Sequence, residues 1–311
     1  MSYKSIWDFG RGGTTNYSVH GVGEYPSKIR PIVIHHIVDR FSKKGDLVLD
    51  PFGGCGTVAI EAKLQGRNSI SYDINKTAIS LTKKKLEILN KKKMVDSYME
   101  LIADQKKEES GLAKDDRMGH IRTSKAIKKY KDCITDIRVN GMGKTNHVVK
   151  RTDARKLSLG DESVDSVITD IPYASMIQYS DDRSDLSRLE NYDDFKVELS
   201  KALKEIVRVL KVGKYVVIFV ADYRVAASRI IYPIHSDVIQ QMLENGLELF
   251  DTYIWRYYRS GAFRPFGARP FQAMNLHTHI LVFHKPTGME DKKPNKAIHY
   301  RKRVLEKRMS T

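Results

Sequence analysis

At 311 residues, 41% apolar, the chain is long enough for one large α/β domain plus an insertion, or at most two modest domains. Its formal charge of +16 suits a polyanionic partner, the plain alternative being lysines that serve only solubility. No apolar run approaches a membrane span and no apolar leader opens the chain, so a cytoplasmic protein without membrane contact is expected; with only Cys55 and Cys133, no disulfide framework and no metal are expected.

The first 27 residues are rich in glycine and polar residues and carry Trp7, Phe9, Tyr17 and Tyr25. Over 28–41 the residues Ile29, Ile32, Val33, His36, Ile37 and Phe41 recur at helical spacing, and Lys43-Lys44-Gly45-Asp46 closes the segment as a turn. Leu47-Val48-Leu49-Asp50 reads as a short buried strand running into a glycine-rich loop at 51–56. A helix over 57–65 follows, stopped by Gly66, then a strand over 69–73 that ends in an acid, then a helix from 75 to about 91. This is a βαβ unit and implies a parallel sheet.

Lysine and mixed charge crowd residues 92–146, which read as a partly helical insertion. Order returns at 148–153 and at Val164-Asp165-Ser166-Val167-Ile168-Thr169-Asp170, a second buried strand ending in an acid. A helix over 195–210, a core strand over 215–220 and a helix over 234–243 come next. Two late strands at 247–257 and 277–283 flank a loop rich in glycine, proline and arginine, and a basic tail follows Pro286. The expected organisation is a cofactor-binding half at 1–91, the insertion at 92–146, a catalytic half at 147–285 and a tail at 286–311.

Ligands of open α/β sheets bind where strands end and the chain leaves the sheet. Three such ends carry suitable chemistry. Asp50-Pro51-Phe52-Gly53-Gly54-Cys55-Gly56-Thr57 offers a loop whose glycines let backbone approach a ligand. Asp73, one βαβ step later, can accept two ribose hydroxyls, and Asp153-Ala154 at a third end places an acid for an adenine amine. A dinucleotide site is the rival reading, but the third glycine of its fingerprint is missing where Ala59, Ile60 and Glu61 stand, and no phosphate-loop lysine is present.

The loop Asp50–Thr57 resembles the cofactor loop of the DNA amino-methyltransferases, which modify cytosine N4 or adenine N6. Asp73, followed by Ile74, matches that family's ribose-binding acid. Pro26-Ser27-Lys28-Ile29-Arg30-Pro31 resembles the element on the methionine end of the cofactor, with Lys28 and Pro31 as contacts. Ile6-Trp7-Asp8-Phe9 with Arg11-Gly12 resembles one branch of bacterial and archaeal members. The resemblance covers roughly residues 5–90 and 147–285. It implies S-adenosyl-L-methionine as cofactor and a Rossmann-like methyltransferase fold, a mostly parallel seven-stranded sheet with a late antiparallel hairpin.

Asp170-Ile171-Pro172-Tyr173 then resembles the family's catalytic tetrapeptide. An exocyclic amine on a base is a poor nucleophile because its lone pair is delocalised into the ring. Asp170 and the carbonyl of Ile171 can accept its two hydrogens, which aims the lone pair at the sulfonium methyl, so positioning contributes much of the rate. Asp170 can also receive the released proton. Pro172 stiffens the turn, and Tyr173 offers a ring for an extruded base. Ile171 departs from the family's usual double proline. Gln178-Tyr179-Ser180-Asp181-Asp182 lies near enough to shape the base pocket.

Residues 255–271 interleave Arg256, Arg259, Arg264 and Arg269 with Tyr257, Tyr258, Phe263, Phe266 and Phe271, a pattern suited to phosphate grip and base stacking. The leading expectation is a site-specific DNA methyltransferase of prokaryotic cytoplasm, with a restriction endonuclease as companion partner. The Asp at the head of the tetrapeptide points to adenine N6, the N-terminal resemblance to cytosine N4, and the second is slightly favoured. An RNA base methyltransferase is the alternative, separated by which nucleic acid takes up methyl. A binding module that has lost the chemistry is the third, separated by failure to bind the cofactor. The sequence gives no oligomeric state.

Overall fold

In a computed structural model the chain is described over residues 5–8, 17–26, 28–140, 144–225, 230–256 and 277–288. In order the elements are β1 (Ile6–Asp8), α1 (Pro31–Phe41), β2 (Leu47–Asp50), α2 (Thr57–Leu64), β3 (Asn68–Asp73) and α3 (Lys76–Ile88). Next come α4 (Lys91–Ser110), α5 (Arg117–Asn140), β4 (His147–Arg151), β5 (Val164–Asp170), α6 (Tyr192–Val209) and β6 (Leu210–Val220). The remainder are β7 (Tyr223–Arg224), β8 (Ile231–Tyr232), α7 (Ile234–Glu244), β9 (Glu248–Arg256) and β10 (His277–His284).

Eight strands form one sheet in the order β1-β9-β10-β6-β5-β2-β3-β4, and β7 and β8 make a separate two-stranded ribbon. β2, β3, β4, β5 and β6 run parallel, while β10 is antiparallel to both its neighbours, β6 and β9. This is the methyltransferase fold that the sequence implied. The seven expected strands stand in it with the late hairpin reversed, and Ile6–Asp8 adds a parallel edge strand on β9.

Alternation along the strands builds two cores, because successive side chains leave a strand on opposite faces. Val217, Phe219, Ile280 and Val282 face the layer of α1, α2, α4 and α5. Val216, Ile218, Val220, Leu281 and Phe283 face α6 and α7. The charged stretch after residue 91, expected to be partly helical, holds the long helices α4 and α5. Its sparse apolar residues fall on single stripes: Met94, Tyr98, Leu101 and Ile102 on α4, and Tyr130, Ile134 and Ile137 on α5, all buried in the first core. The Tyr98 hydroxyl donates to the carbonyl of Leu64 at 2.9 Å, tying the helix pair to the end of α2. Among the described residues no helix is long and apolar enough to cross a membrane.

Strand order reverses direction between β2 and β5, the position where open α/β sheets form a ligand crevice. The carboxyl ends of β2, β3, β4 and β5 all open there.

Candidate active site

The crevice is a cleft enclosing about 920 Å³ including its open mouth. Asp50, Asp73, Asp153 and Asp170 enter it from the four strand ends, with Pro51 to Cys55, Thr57, Ile74, Ala154 and Pro172 beside them. Lys28 lines the opposite wall, its Nζ donating to the carbonyl of His20 at 3.4 Å. Pro31 is the first residue of α1 and Gly56 precedes α2; both stand behind the lining.

Internal packing requires the loop's glycines. A Cβ on Gly53 would lie 2.0 Å from Ser71 Oγ and 3.1 Å from the Tyr72 carbonyl, and one on Gly56 would lie 2.5 Å from Thr82. Gly53 N–H donates to the Tyr72 carbonyl at 2.7 Å, which draws the loop onto β3. Gly56 also holds φ at +80°, a region open chiefly to glycine. Below the loop the buried Lys85 donates to the Cys55 carbonyl at 3.2 Å, and Thr82 donates to the Gly54 carbonyl at 3.0 Å.

Asp73 is fixed by the same loop. Its Oδ2 accepts from Gly54 N–H at 2.7 Å and its Oδ1 from Asn75 N–H at 2.8 Å, which leaves lone pairs directed at the cleft for hydroxyl donors. Burial raises its pKa against those two hydrogen bonds. Burial likewise pushes Asp50 up to about 7, although it accepts from Thr169 at 2.8 Å and Phe52 N–H at 3.3 Å. Asp153 experiences burial too, but Arg155 grips both its oxygens and holds its pKa below the usual range.

Burial pushes the carboxyl of Asp170 up to about 7, against a hydrogen bond from the Tyr173 hydroxyl at 2.5 Å. Asp170 and Pro172 line the cleft; Ile171 instead buries its side chain in the second core, and Tyr173 packs half-buried beside it. Ala174, just past the tetrapeptide, adopts φ +49°, a strained value for a residue with a Cβ.

Several lining residues were not among the expected contacts: Tyr25, Ile34, Thr152, Asp185 and Leu186. Tyr25 and Tyr179 stack across the mouth at 6.3 Å and 18°. Asn75 fixes that wall by donating to the Tyr179 carbonyl at 2.7 Å. Asp185 is buried and accepts from Ser180 and Ser187, both at 2.7 Å. A single aromatic in a glycine-rich opening and a serine–aspartate turn carry no periodicity that would reveal them.

The lining contains five aspartates and one lysine. That donor set opposes the phosphates of a dinucleotide and fits a ligand that brings hydroxyls and positive charge, as S-adenosylmethionine does. Of the expected nucleic-acid contacts, Arg256 is exposed at the end of β9, paired in register with Asp8 and His277. Arg259, Phe263, Arg264 and Arg269 lie outside the described residues.

The sequence pattern of the DNA methylase family matches residues 2–84 and 164–310. The chain belongs to the DNA methylase family. It is 32% identical over 87 residues to the type II methyltransferase M2.DpnII of Streptococcus pneumoniae, covering 28% of this chain and 31% of that one. It is 27% identical over 117 residues to the DNA adenine methyltransferase YhdJ of Escherichia coli K12, covering 38% and 37%. A solved S-adenosylmethionine-dependent methyltransferase of Methanosarcina mazei is 14% identical with a TM-score of 0.45, over 80% of this chain and 97% of that one. The matched regions span from 12% to 37% of the length of curated relatives such as M.BsoBI of Geobacillus stearothermophilus and YhdJ. The family resemblance implies S-adenosylmethionine as the methyl donor, and the acidic cleft of this DNA methylase is chemically suited to it.

Proposed function

We propose that this DNA methylase transfers a methyl group from S-adenosylmethionine to an exocyclic amino group of a base in DNA at a specific sequence. The observation that carries the reading is the placement of Asp170 and the Gly53–Gly54 loop on one cleft, together with Asp73. In this reading Asp73 receives the ribose hydroxyls, Asp153 and Ala154 the adenine, and Lys28 with the glycine loop borders the methionine end. When bound, the cofactor supplies an electrophilic methyl group.

The chain's own part is to hold the amine. One oxygen of Asp170 is engaged by Tyr173, which orients the carboxylate and leaves the second oxygen for an amine hydrogen. The Ile171 carbonyl is the second acceptor in this scheme, and the Pro172 ring keeps the turn rigid. Only ionised Asp170 accepts from Tyr173 with one oxygen and from the amine with the other, so a carboxyl with a pKa about 7 works best at and above neutrality. The same group is suited to take the proton that the methylated nitrogen releases.

Cytosine N4 is the favoured target on the N-terminal resemblance around Trp7. Adenine N6 is the second reading, favoured by the acid at the head of the tetrapeptide and by the name of one relative. The partner is then cytoplasmic DNA in a prokaryote, with a restriction endonuclease of the same specificity alongside, as the type II names of relatives suggest. The test is incubation with methyl-labelled S-adenosylmethionine and, separately, duplex DNA and total RNA, followed by nucleoside mass analysis. Label in N4-methylcytosine or N6-methyladenine of DNA is expected. Label in RNA nucleosides alone would overturn the DNA assignment while keeping the chemistry.

A further inference from the structure

Three imidazoles and a carboxylate converge just past the end of β6. Asp222 follows the end of β6, His235 is the second residue of α7, and His277 and His279 open β10. Asp222 accepts the backbone N–H of His235 at 3.2 Å, and both its oxygens face His235 Nδ1, at 2.7 and 2.9 Å. The His235 and His279 rings stack at 4.1 Å and 7°. His277 and His279 alternate on one strand, so both point to the same face, and their rings meet edge-on at 4.9 Å. One nitrogen or oxygen from each of Asp222, His235 and His279 lies within 4.8 Å of the others, and all three residues are half-buried.

We propose that Asp222, His235 and His279 form a binding site for a divalent transition-metal ion of the zinc class. Capping of α7 accounts for Asp222 meeting the backbone of His235, but it requires no second imidazole stacked on the first and no third beside it. Imidazole nitrogen and carboxylate oxygen in this ratio are the donor set that zinc and its neighbours prefer, whereas calcium and magnesium take oxygen ligands. Parallel rings cannot both aim a nitrogen at one ion, so binding turns one ring about its terminal torsion, which is soft. The expectation of no metal rested on the two cysteines, and these donors are independent of them. A bound ion ties the ends of β6 and α7 to the start of β10. Nothing in this site depends on the methyl-transfer reading.

The test uses the full chain, stripped with a chelator and dialysed, then titrated with Zn²⁺ against a chromophoric competitor and with Co²⁺ in the visible range. Binding of one equivalent is expected, with the visible bands of four- or five-coordinate Co²⁺ and a rise in melting temperature. His279→Gln and His235→Gln should each weaken Zn²⁺ binding by about 100-fold or more, beyond the 10–100-fold that loss of an outer partner causes. His120→Gln, on the surface of α5, should leave it unchanged. His279→Gln tests the site without touching the α7 cap, and unchanged far-ultraviolet dichroism shows that it folds. No stoichiometric binding by the native chain, or binding that survives His279→Gln, overturns the proposal.

Discussion

The Tyr173 hydroxyl donates to Asp170 at 2.5 Å, so the residue expected to stack on a base is also the one that orients the carboxylate. This hydrogen bond opposes the burial that lifts Asp170 to about 7. Tyr173→Phe should therefore raise the Asp170 pKa and move the acidic limb of the pH–rate profile to higher pH. A native limb near pH 7 that does not move in Tyr173→Phe would remove Asp170 from the rate-determining chemistry.

Asp170→Ala should abolish methyl transfer while cofactor affinity, measured by calorimetry, stays within a few-fold. Asp73→Ala should do the reverse in part, weakening cofactor binding by roughly 1–3 kcal/mol, the scale of hydrogen bonds to a charged group. It also leaves Gly54 N–H without its acceptor. Loss of both properties in Asp170→Ala, or unchanged binding in Asp73→Ala, would show the roles to be misassigned.

Asp50 couples stability to pH. Its folded pKa of about 7 lies above the ordinary carboxylate value, so the folded state is favoured by protonation. The penalty is absent below about pH 4, grows as pH rises and is complete above pH 7. Asp50→Asn should shift stability upward relative to the native chain by roughly 2–4 kcal/mol on going from pH 4 to pH 8. Urea unfolding at the two pH values measures it, and a pH-independent difference contradicts it.

Glu61 behaves in the opposite sense. It is fully buried and accepts from the Tyr17 hydroxyl at 2.5 Å, while His20 Nε2 and His35 Nδ1 each stand 2.8 Å from its oxygens. Burial raises its pKa, but the hydrogen bonds from the two histidines win and carry it down to about 2. Its contribution is present above about pH 4.5 and is lost as pH falls through about 2. Glu61→Ala should cost about 3–5 kcal/mol at neutral pH, the scale for breaking a buried charged pair, and the gap should narrow in acid. Thermal unfolding between pH 2 and pH 7 checks both parts.

Gly53→Ala should destabilise the chain, because its Cβ would meet Ser71 Oγ at 2.0 Å. Ser71→Ala in the same chain removes that oxygen and should restore part of the loss. A double-mutant cycle with no coupling would place the strain elsewhere.

Two strand ends were readable because the acid closes a short, largely apolar run: Asp50 after Leu47-Val48-Leu49, Asp170 after Val167-Ile168 and one threonine. What that reading did not contain was a second reason for a glycine. Gly53 answers to Ser71 and Tyr72, a contact across strands that no local pattern announces. The helices α4 and α5 were obscured because lysines outnumber the few apolar residues that face the core. Asp222, His235 and His279 are separated by long stretches of sequence and meet only through the sheet, although the His277-Thr278-His279 spacing was a visible hint. β1 is too short to have a period at all.

The α4–α5 pair begins and ends at one place: Lys91 Nζ donates to the carbonyl of Arg138 at 3.0 Å. All of it lies between the two stretches that match the family. A short linker could therefore bridge from α3 toward β4 without disturbing the path of the sheet. Energetically the excision is costly, since Tyr98, Leu101, Tyr130 and Ile134 cover apolar surface that α1 and α2 would then expose to water. A minimal version of this chain cannot be made by trimming alone; it needs the outward faces of α1 and α2 rewritten with polar side chains.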